Sequence, residues 1–273
     1  MKKKLFLNQA PKATYQKGIF NYMGAKGQLV DWIIPMFPSH TTYAEVFGGT
    51  FVIGLNKPKS KIEFYNDINS NLSNLFHVIR TRYDEFSDAI DNIIVSEDWH
   101  SKFFRHENDV EDELERAIRY FYVMTFTFRG KYEGGWSVEN AVSSTNESRR
   151  LLIKQIHERM KDVIVLNKPY DKVINDNNNK DTLLYLDPPY VSTEMYYKKL
   201  AGGFGENDHI KLRDLLVKHN GYFFLSYEDD EMVSDLYHNF KIHRRKAARS
   251  SSGVSKFEVV VTNYTPQKTL FSI

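Results

Sequence analysis

Residues 183–190, LLYLDPPY, end an apolar and aromatic run in a carboxylate, two prolines and a tyrosine. Asp187 can accept hydrogen bonds or a proton. Pro188 and Pro189 fix φ and carry no N–H, so their carbonyls stand as acceptors on a stiff turn. Tyr190 adds a flat ring with a polar tip. An acceptor carboxylate, an acceptor carbonyl and a stacking ring together match an amino group on a flat heterocycle. Ordinary strand punctuation is the competing reading, and the specificity of the tetrapeptide weighs against it. In a parallel sheet, moreover, ligands bind at the carboxyl ends of the strands.

Three other stretches bear on a ligand site. AEVFGGTFVIG (44–54) runs from a strand into Gly48 and Gly49 and then into an apolar helical segment. A glycine pair there lets the backbone approach a ligand, or simply makes a tight turn. Its spacing is not G-x-G-x-x-G, which disfavours NAD. YNDIN (65–69) ends the next strand at Asp67, about 20 residues beyond Glu45, where an acid can accept ribose hydroxyls. An Asx turn or a helix N-cap using Asp67 or Asn69 is the alternative. NYMGAKGQL (21–29) precedes a helix predicted over 28–36 that stops near Pro35 and Pro38. Lys26 at a helix start opposes the macrodipole unless it meets an anionic group, and a solvated lysine is the plain alternative.

Basic residues gather in three places. Arg244, Arg245, Lys246 and Arg249 fall within HRRKAARSSSGVSK (243–256), Arg129 and Lys131 flank Gly130, and Arg149, Arg150 and Lys154 start a helix. Charge runs are commonly solvated faces. Clusters in loops containing Gly or Ser suit phosphate contacts better than scattered charge does.

The elements that must position these residues follow from pattern and composition. The chain has 273 residues, 41% apolar and 26% charged, enough for one large domain or a domain with an insertion. Its formal charge of +2 decides nothing about nucleic acid. With no cysteine, disulfides, thiolate metal sites and Cys nucleophiles are excluded, and the nine His form no ligand set. No stretch reaches membrane-spanning length and the N-terminus lacks a signal-peptide core, so the chain reads as cytoplasmic and free of membrane. Strands are predicted at 42–47, 61–67, 162–167, 182–187, 221–227 and 257–264. Most are continuous apolar runs, as in a doubly wound parallel sheet covered on both faces. Ile68, Leu72, Leu75, Phe76 and Ile79 recur at helix spacing, as do Ile210, Leu215 and Leu216. From about 73 to 161 the α/β alternation breaks. Leu114, Ile118, Phe121, Tyr122 and Thr125 share a helical face there, and FRGKYEGGWSVEN (128–140) follows, so this segment reads as a mostly helical insertion. NDNNNK (175–180) reads as a solvated loop.

In order, YMGAK, EVFGG, YNDIN, an insertion, DPPY and RSSSGVSKFEVVVTNY make the chain resemble the class α, or D12-type, DNA adenine-N6 methyltransferases of the Dam-like family. The resemblance spans almost the whole chain. It implies an α/β, Rossmann-like methyltransferase sheet, with 1–72 and 162–273 as the S-adenosylmethionine-binding catalytic domain and 73–161 as an inserted, mostly helical target-recognition domain. It places Tyr22, Met23, Gly24, Lys26, Glu45, Phe47, Gly48, Gly49, Asp67, Ile68 and Asp187 around S-adenosylmethionine, with Asp67 on its ribose. Asp187, Pro188, Pro189 and Tyr190 would form the catalytic turn, with no metal required. Arg129, Lys131, Tyr132, Trp136, Arg249 and Ser250 would face double-stranded DNA. A cognate restriction endonuclease acting on the same DNA site is an implied partner. Ala25 stands where the family usually has a second glycine before the lysine, and Gly48-Gly49-Thr50 matches its loop approximately. GATC-specific members carry an Asn-Val-Pro-Phe-Gly-like run in the insertion. It is absent here, and GATC is not carried over.

Rival readings differ in what they need. N4-cytosine methylation poses the same amino-group problem, but its motif more often begins with Ser. C5-cytosine methylation needs a Cys nucleophile and is excluded. RNA or protein amide methylation fits the tetrapeptide alone, and a DNA-binding module without catalysis would have no use for DPPY, Asp67 and Lys26 together.

Overall fold

The computed structural model of the protein describes residues 18–20, 22, 26–105, 110–130, 134–190, 203–246 and 257–266. Among them runs a seven-stranded sheet built from β1 (Thr42–Glu45), β2 (Ile62–Asn66), β3 (Val163–Leu166), β4 (Thr182–Leu186), β5 (Tyr222–Glu228), β6 (Lys241–Lys246) and β7 (Phe257–Thr262). The order is β3-β2-β1-β4-β5-β7-β6. The first five in that order pair in parallel, and β7 enters antiparallel between β5 and β6. All six predicted strands are present. The strand absent from the sequence reading is β6, KIHRRK, whose Arg244, Arg245 and Lys246 fall in the expected basic loop. It is an exposed edge strand, and charge on an edge blocks further pairing while erasing the apolar signature.

Side chains alternate across the sheet, as the period of two requires. Tyr43, Tyr65, Leu183, Tyr185, Phe224 and Val260 face one apolar cluster, and Ala44, Val46, Leu184, Leu186, Phe223 and Leu225 face another. On the first side lie α1 (Val30–Ile33), α2 (Val52–Asn56), α3 (Ser70–Thr81), α4 (Tyr83–Asp91), α6 (Glu113–Phe126) and α8 (Asn146–Met160). On the second lie α9 (Tyr170–Asp176), α10 (Glu206–Val217) and α11 (Glu231–Leu236).

Between β2 and β3 the described chain is helical, with α5 (Glu97–Arg105) and α7 (Val138–Ser143) completing the run. Asn69, Asp112, Ser137 and Thr145 cap α3, α6, α7 and α8 by accepting first-turn amides. Phe86, Ile90, Ala117, Phe121, Ile153, Ile156 and Met160 join the same cluster as Tyr43 and Tyr65, so these helices share a core with the sheet. α6 contacts α3, α4, α5 and α7. It is therefore buried nearly all round, through Ala117 and Tyr120–Phe126 except Thr125, rather than along the single predicted face. Ile68 does not extend the α3 stripe. It precedes Asn69, the N-cap, and is 47% exposed. Asn175 and Asp176 close α9, so the predicted loop begins at Asn177.

Candidate active site

The strand order reverses at β1, which has β2 on one side and β4 on the other, and in such sheets the crevice beyond the strand ends is the ligand site. Register brings the predicted residues level there. Glu45 pairs with Tyr65 and with Tyr185, so Phe47, Asp67 and Asp187 each stand two residues past that row. A cavity of about 280 Å³ opens at this point. Tyr22, Lys26, Glu45, Phe47, Gly48, Gly49, Asp67, Ile68, Asp187, Pro188, Pro189 and Tyr190 all line it.

The glycine loop is held from β2. Gly48 N–H donates to the Asn66 carbonyl at 2.7 Å, Gly49 N–H to Asp67 Oδ2 at 2.8 Å, and Tyr65 hydroxyl to the Gly49 carbonyl at 2.9 Å. A Cβ on Gly48 would run into the Tyr65 ring and come within 2.9 Å of the Asn66 carbonyl. What Gly48 makes room for is therefore the protein's own β2. Gly49 has room for a side chain but sits at φ +48°, where L residues are strained. Phe51 also adopts positive φ, 57°, and its ring is pinned over Gly54 and edge-on to Tyr65. Packing thus holds a strained turn at the mouth of the cavity.

Asp67 accepts from both sides, Gly49 N–H on Oδ2 and Asn69 N–H at 2.8 Å on Oδ1. Burial pushes its carboxyl up while these two amides pull it down. The Asx-turn reading is thus correct as far as it goes, with Asn69 as the helix cap, and the carboxylate also lines the cavity.

At the end of β4, Asp187 is 19% exposed and meets the buried Lys26, Nζ to Oδ1, at 2.9 Å. Burial pushes Asp187 up to about 6, against the pull of Lys26 and of the Tyr190 hydroxyl. Lys26 Nζ also lies 4.7 Å from the centre of the Tyr190 ring. Lys26 follows the predicted position at a helix start, but its charge is directed at Asp187.

Glu45 is 2% exposed, and its Oε2 accepts from Tyr43 hydroxyl at 2.6 Å and Gly54 N–H at 2.9 Å. Burial pushes its carboxyl up to about 8 despite those donors, and the charge of Asp187 adds to the rise. The folded chain holds this proton more tightly than the unfolded one. The stabilisation is complete below the ordinary glutamate range and declines as pH rises toward 8. Melting curves from about pH 5 to 8 should show that decline, and Glu45→Gln should flatten it. An equal decline in the variant would clear Glu45 of the effect.

Several lining residues were not legible in the sequence. Phe47 stacks on Tyr170 at 5.7 Å between ring centres, and Phe204 stands edge-on to both. Tyr170 hydroxyl donates to Asp208 at 3.2 Å. Asn66 ties two loops to β2, giving its amide to the Val46 and Lys168 carbonyls and accepting from Lys168 N–H.

Of the residues expected at DNA, Trp136 bridges Thr127 and packs half-buried against Phe126 and His100. Met23, Gly24, Lys131, Tyr132, Arg249 and Ser250 lie outside the described residues, as does the Arg129 side chain, whose backbone is in a 3₁₀ turn, Phe128–Gly130. Of the other predicted basic residues, Arg149 is buried in α8, and Arg150 pairs with Asp91 at 2.7 Å. Among the described residues no metal-ligand cluster of His, Asp or Glu occurs, and no helix is long and apolar enough to cross a membrane.

Known proteins are similar to this chain over most of its length. The chain is 26% identical to the type II methyltransferase M.FokI of Planomicrobium okeanokoites over 96% of its own length and 45% of that protein's. It is 24% identical to the modification methylase StsI of Streptococcus sanguinis, over 92% of the chain and 43% of the relative. The chain thus spans less than half the length of these two. It is 26% identical to a DNA adenine methylase of Haemophilus influenzae, over 85% of the chain and 86% of that protein. A family match extends over residues 22–251, from Tyr22 at the cavity through the glycine loop and DPPY. The chain belongs to the D12 class N6 adenine-specific DNA methyltransferases.

Proposed function

We propose that the chain transfers a methyl group from S-adenosylmethionine to N6 of an adenine in double-stranded DNA. One observation carries the reading: Asp187, Pro188 and Tyr190 share a cavity with the glycine loop and Asp67 at the point where the sheet reverses. The residues fit a nucleoside donor, with a carboxylate at the end of β2 and the packed rings of Phe47, Tyr170 and Phe204 lining the same cavity. Bound there, S-adenosylmethionine supplies an electrophilic methyl on a sulfonium.

The protein's part is alignment. Lone pairs left on Asp67 accept ribose hydroxyls. Asp187 accepts one N6 hydrogen and the Pro188 carbonyl the other, which turns the amino lone pair out of conjugation and toward the methyl. Asp187, made more basic by burial, then receives the proton. This geometry is unreachable within a stacked duplex, so the adenine is flipped out and stacks on Tyr190. In this reading 1–72 and 162–273 form the catalytic domain. The helical 73–161 is the target-recognition insertion, and Arg129, Lys131, Tyr132, Trp136, Arg249 and Ser250 meet the duplex. A restriction endonuclease cutting the same site is the expected partner.

Incubating purified protein with duplex DNA and methyl-labelled donor should put label into the DNA. Donor binding without label transfer to any duplex would instead favour a DNA-binding module.

A further inference from the structure

Glu258 takes no part in the chemistry above, yet it reaches the catalytic turn from another part of the sheet. It lies near the start of β7, in register with Glu228 of β5 and Arg245 of β6. Its Oε2 accepts the Tyr190 hydroxyl at 3.0 Å. The Tyr190 ring is tilted against that of Tyr227, with ring centres 6.1 Å apart, and Lys26 lies over its face. Those contacts hold the body of the ring, and Glu258 holds its tip. The same hydroxyl also acts on Asp187, helping to hold its carboxyl down against burial. One phenolic proton is therefore within reach of two carboxylates. Donated to Asp187, which already accepts from Lys26, it would occupy a lone pair that an incoming amino group needs.

We propose that Glu258 is a positioning residue: by holding the Tyr190 hydroxyl it fixes the ring for stacking and leaves an Asp187 oxygen open to the target amino group. This rests on the roles given to Asp187 and Tyr190 under Proposed function.

The test is single-turnover methylation of duplex DNA by the full chain, with donor affinity and melting temperature measured in parallel. Glu258→Leu should slow transfer about 10- to 100-fold, the range for losing a hydrogen bond to a charged group, with donor affinity unchanged. Glu258→Gln keeps an acceptor and should recover to within about threefold of the unaltered chain. In a Tyr190→Phe background, which has no hydroxyl to hold, Glu258→Leu should cost less than about threefold more. If Glu258→Leu does not fold, Glu258→Asp, which withdraws the carboxylate by one methylene, replaces it in the cycle. Penalties that multiply in the double variant, or a Gln variant as slow as Leu, would overturn the proposal. An unaltered chain that methylates no adenine would instead overturn the proposed function, so the two failures are distinguishable.

Discussion

Asp187→Asn should lower methyl transfer about 1,000-fold or more while donor affinity stays within about threefold. The carboxylate is the charged acceptor offered to the amino group, and an amide in its place presents a weaker acceptor on one side and a donor on the other. Asparagine is the informative replacement because Lys26 is buried against this side chain, at 4% exposure. Truncation to alanine would strand that ammonium, and breaking a buried pair costs about 3–5 kcal/mol. The asparagine amide still offers Lys26 an oxygen, which separates lost chemistry from lost folding. The unaltered chain should also show an acidic limb in its rate profile, because Asp187 must be ionised to accept and ionises only as pH rises through about 6. Donor binding by calorimetry and transfer by label incorporation read the two parts independently. A variant that loses both equally would make Asp187 a folding residue.

Gly48→Ala should remove donor binding and destabilise the chain by about 1–3 kcal/mol, the usual cost of forcing a methyl into packed space. The added Cβ meets the Tyr65 ring and the Asn66 carbonyl, neither of which can withdraw: Tyr65 is fully buried against Phe51 and Phe76, and Asn66 ties the Val46 and Lys168 carbonyls. Loop and β2 would be forced apart, breaking the Gly48-to-Asn66 bond. Gly49→Ala makes a control of similar size. It meets nothing closer than 3.9 Å and carries only the strain of φ +48°, about 1 kcal/mol. Urea melts and donor titrations should rank Gly48→Ala well below Gly49→Ala. The reverse order would mean that backbone conformation, not packing against β2, shapes the loop.

The contrast between these glycines shows where sequence reasoning stopped. DPPY, the glycine pair and Asp67 are contiguous motifs at strand ends, and strand ends converge in any doubly wound sheet, so their meeting was foreseeable. That Gly48 yields to Tyr65 was not, because it depends on how β2 sits beside the loop. Lys26 could be suspected of serving an anion, but not that the anion is Asp187, far along the chain. Tyr170 and Phe204 arrive from separate elements and carry no motif of their own, and Glu258 sits in the C-terminal run with nothing there to tie it to Tyr190. β6 escaped because an exposed edge has no need of apolar alternation, and α6 shows the opposite failure, a helix buried on more sides than its periodicity announces.

The most direct measurement is nucleoside analysis by mass spectrometry of DNA from a methylation-deficient host, comparing cells expressing the unaltered chain with cells expressing Asp187→Asn. N6-methyladenine in the first and none in the second is the predicted result. N4-methylcytosine in place of N6-methyladenine, or N6-methyladenine at equal levels in both, would contradict the account.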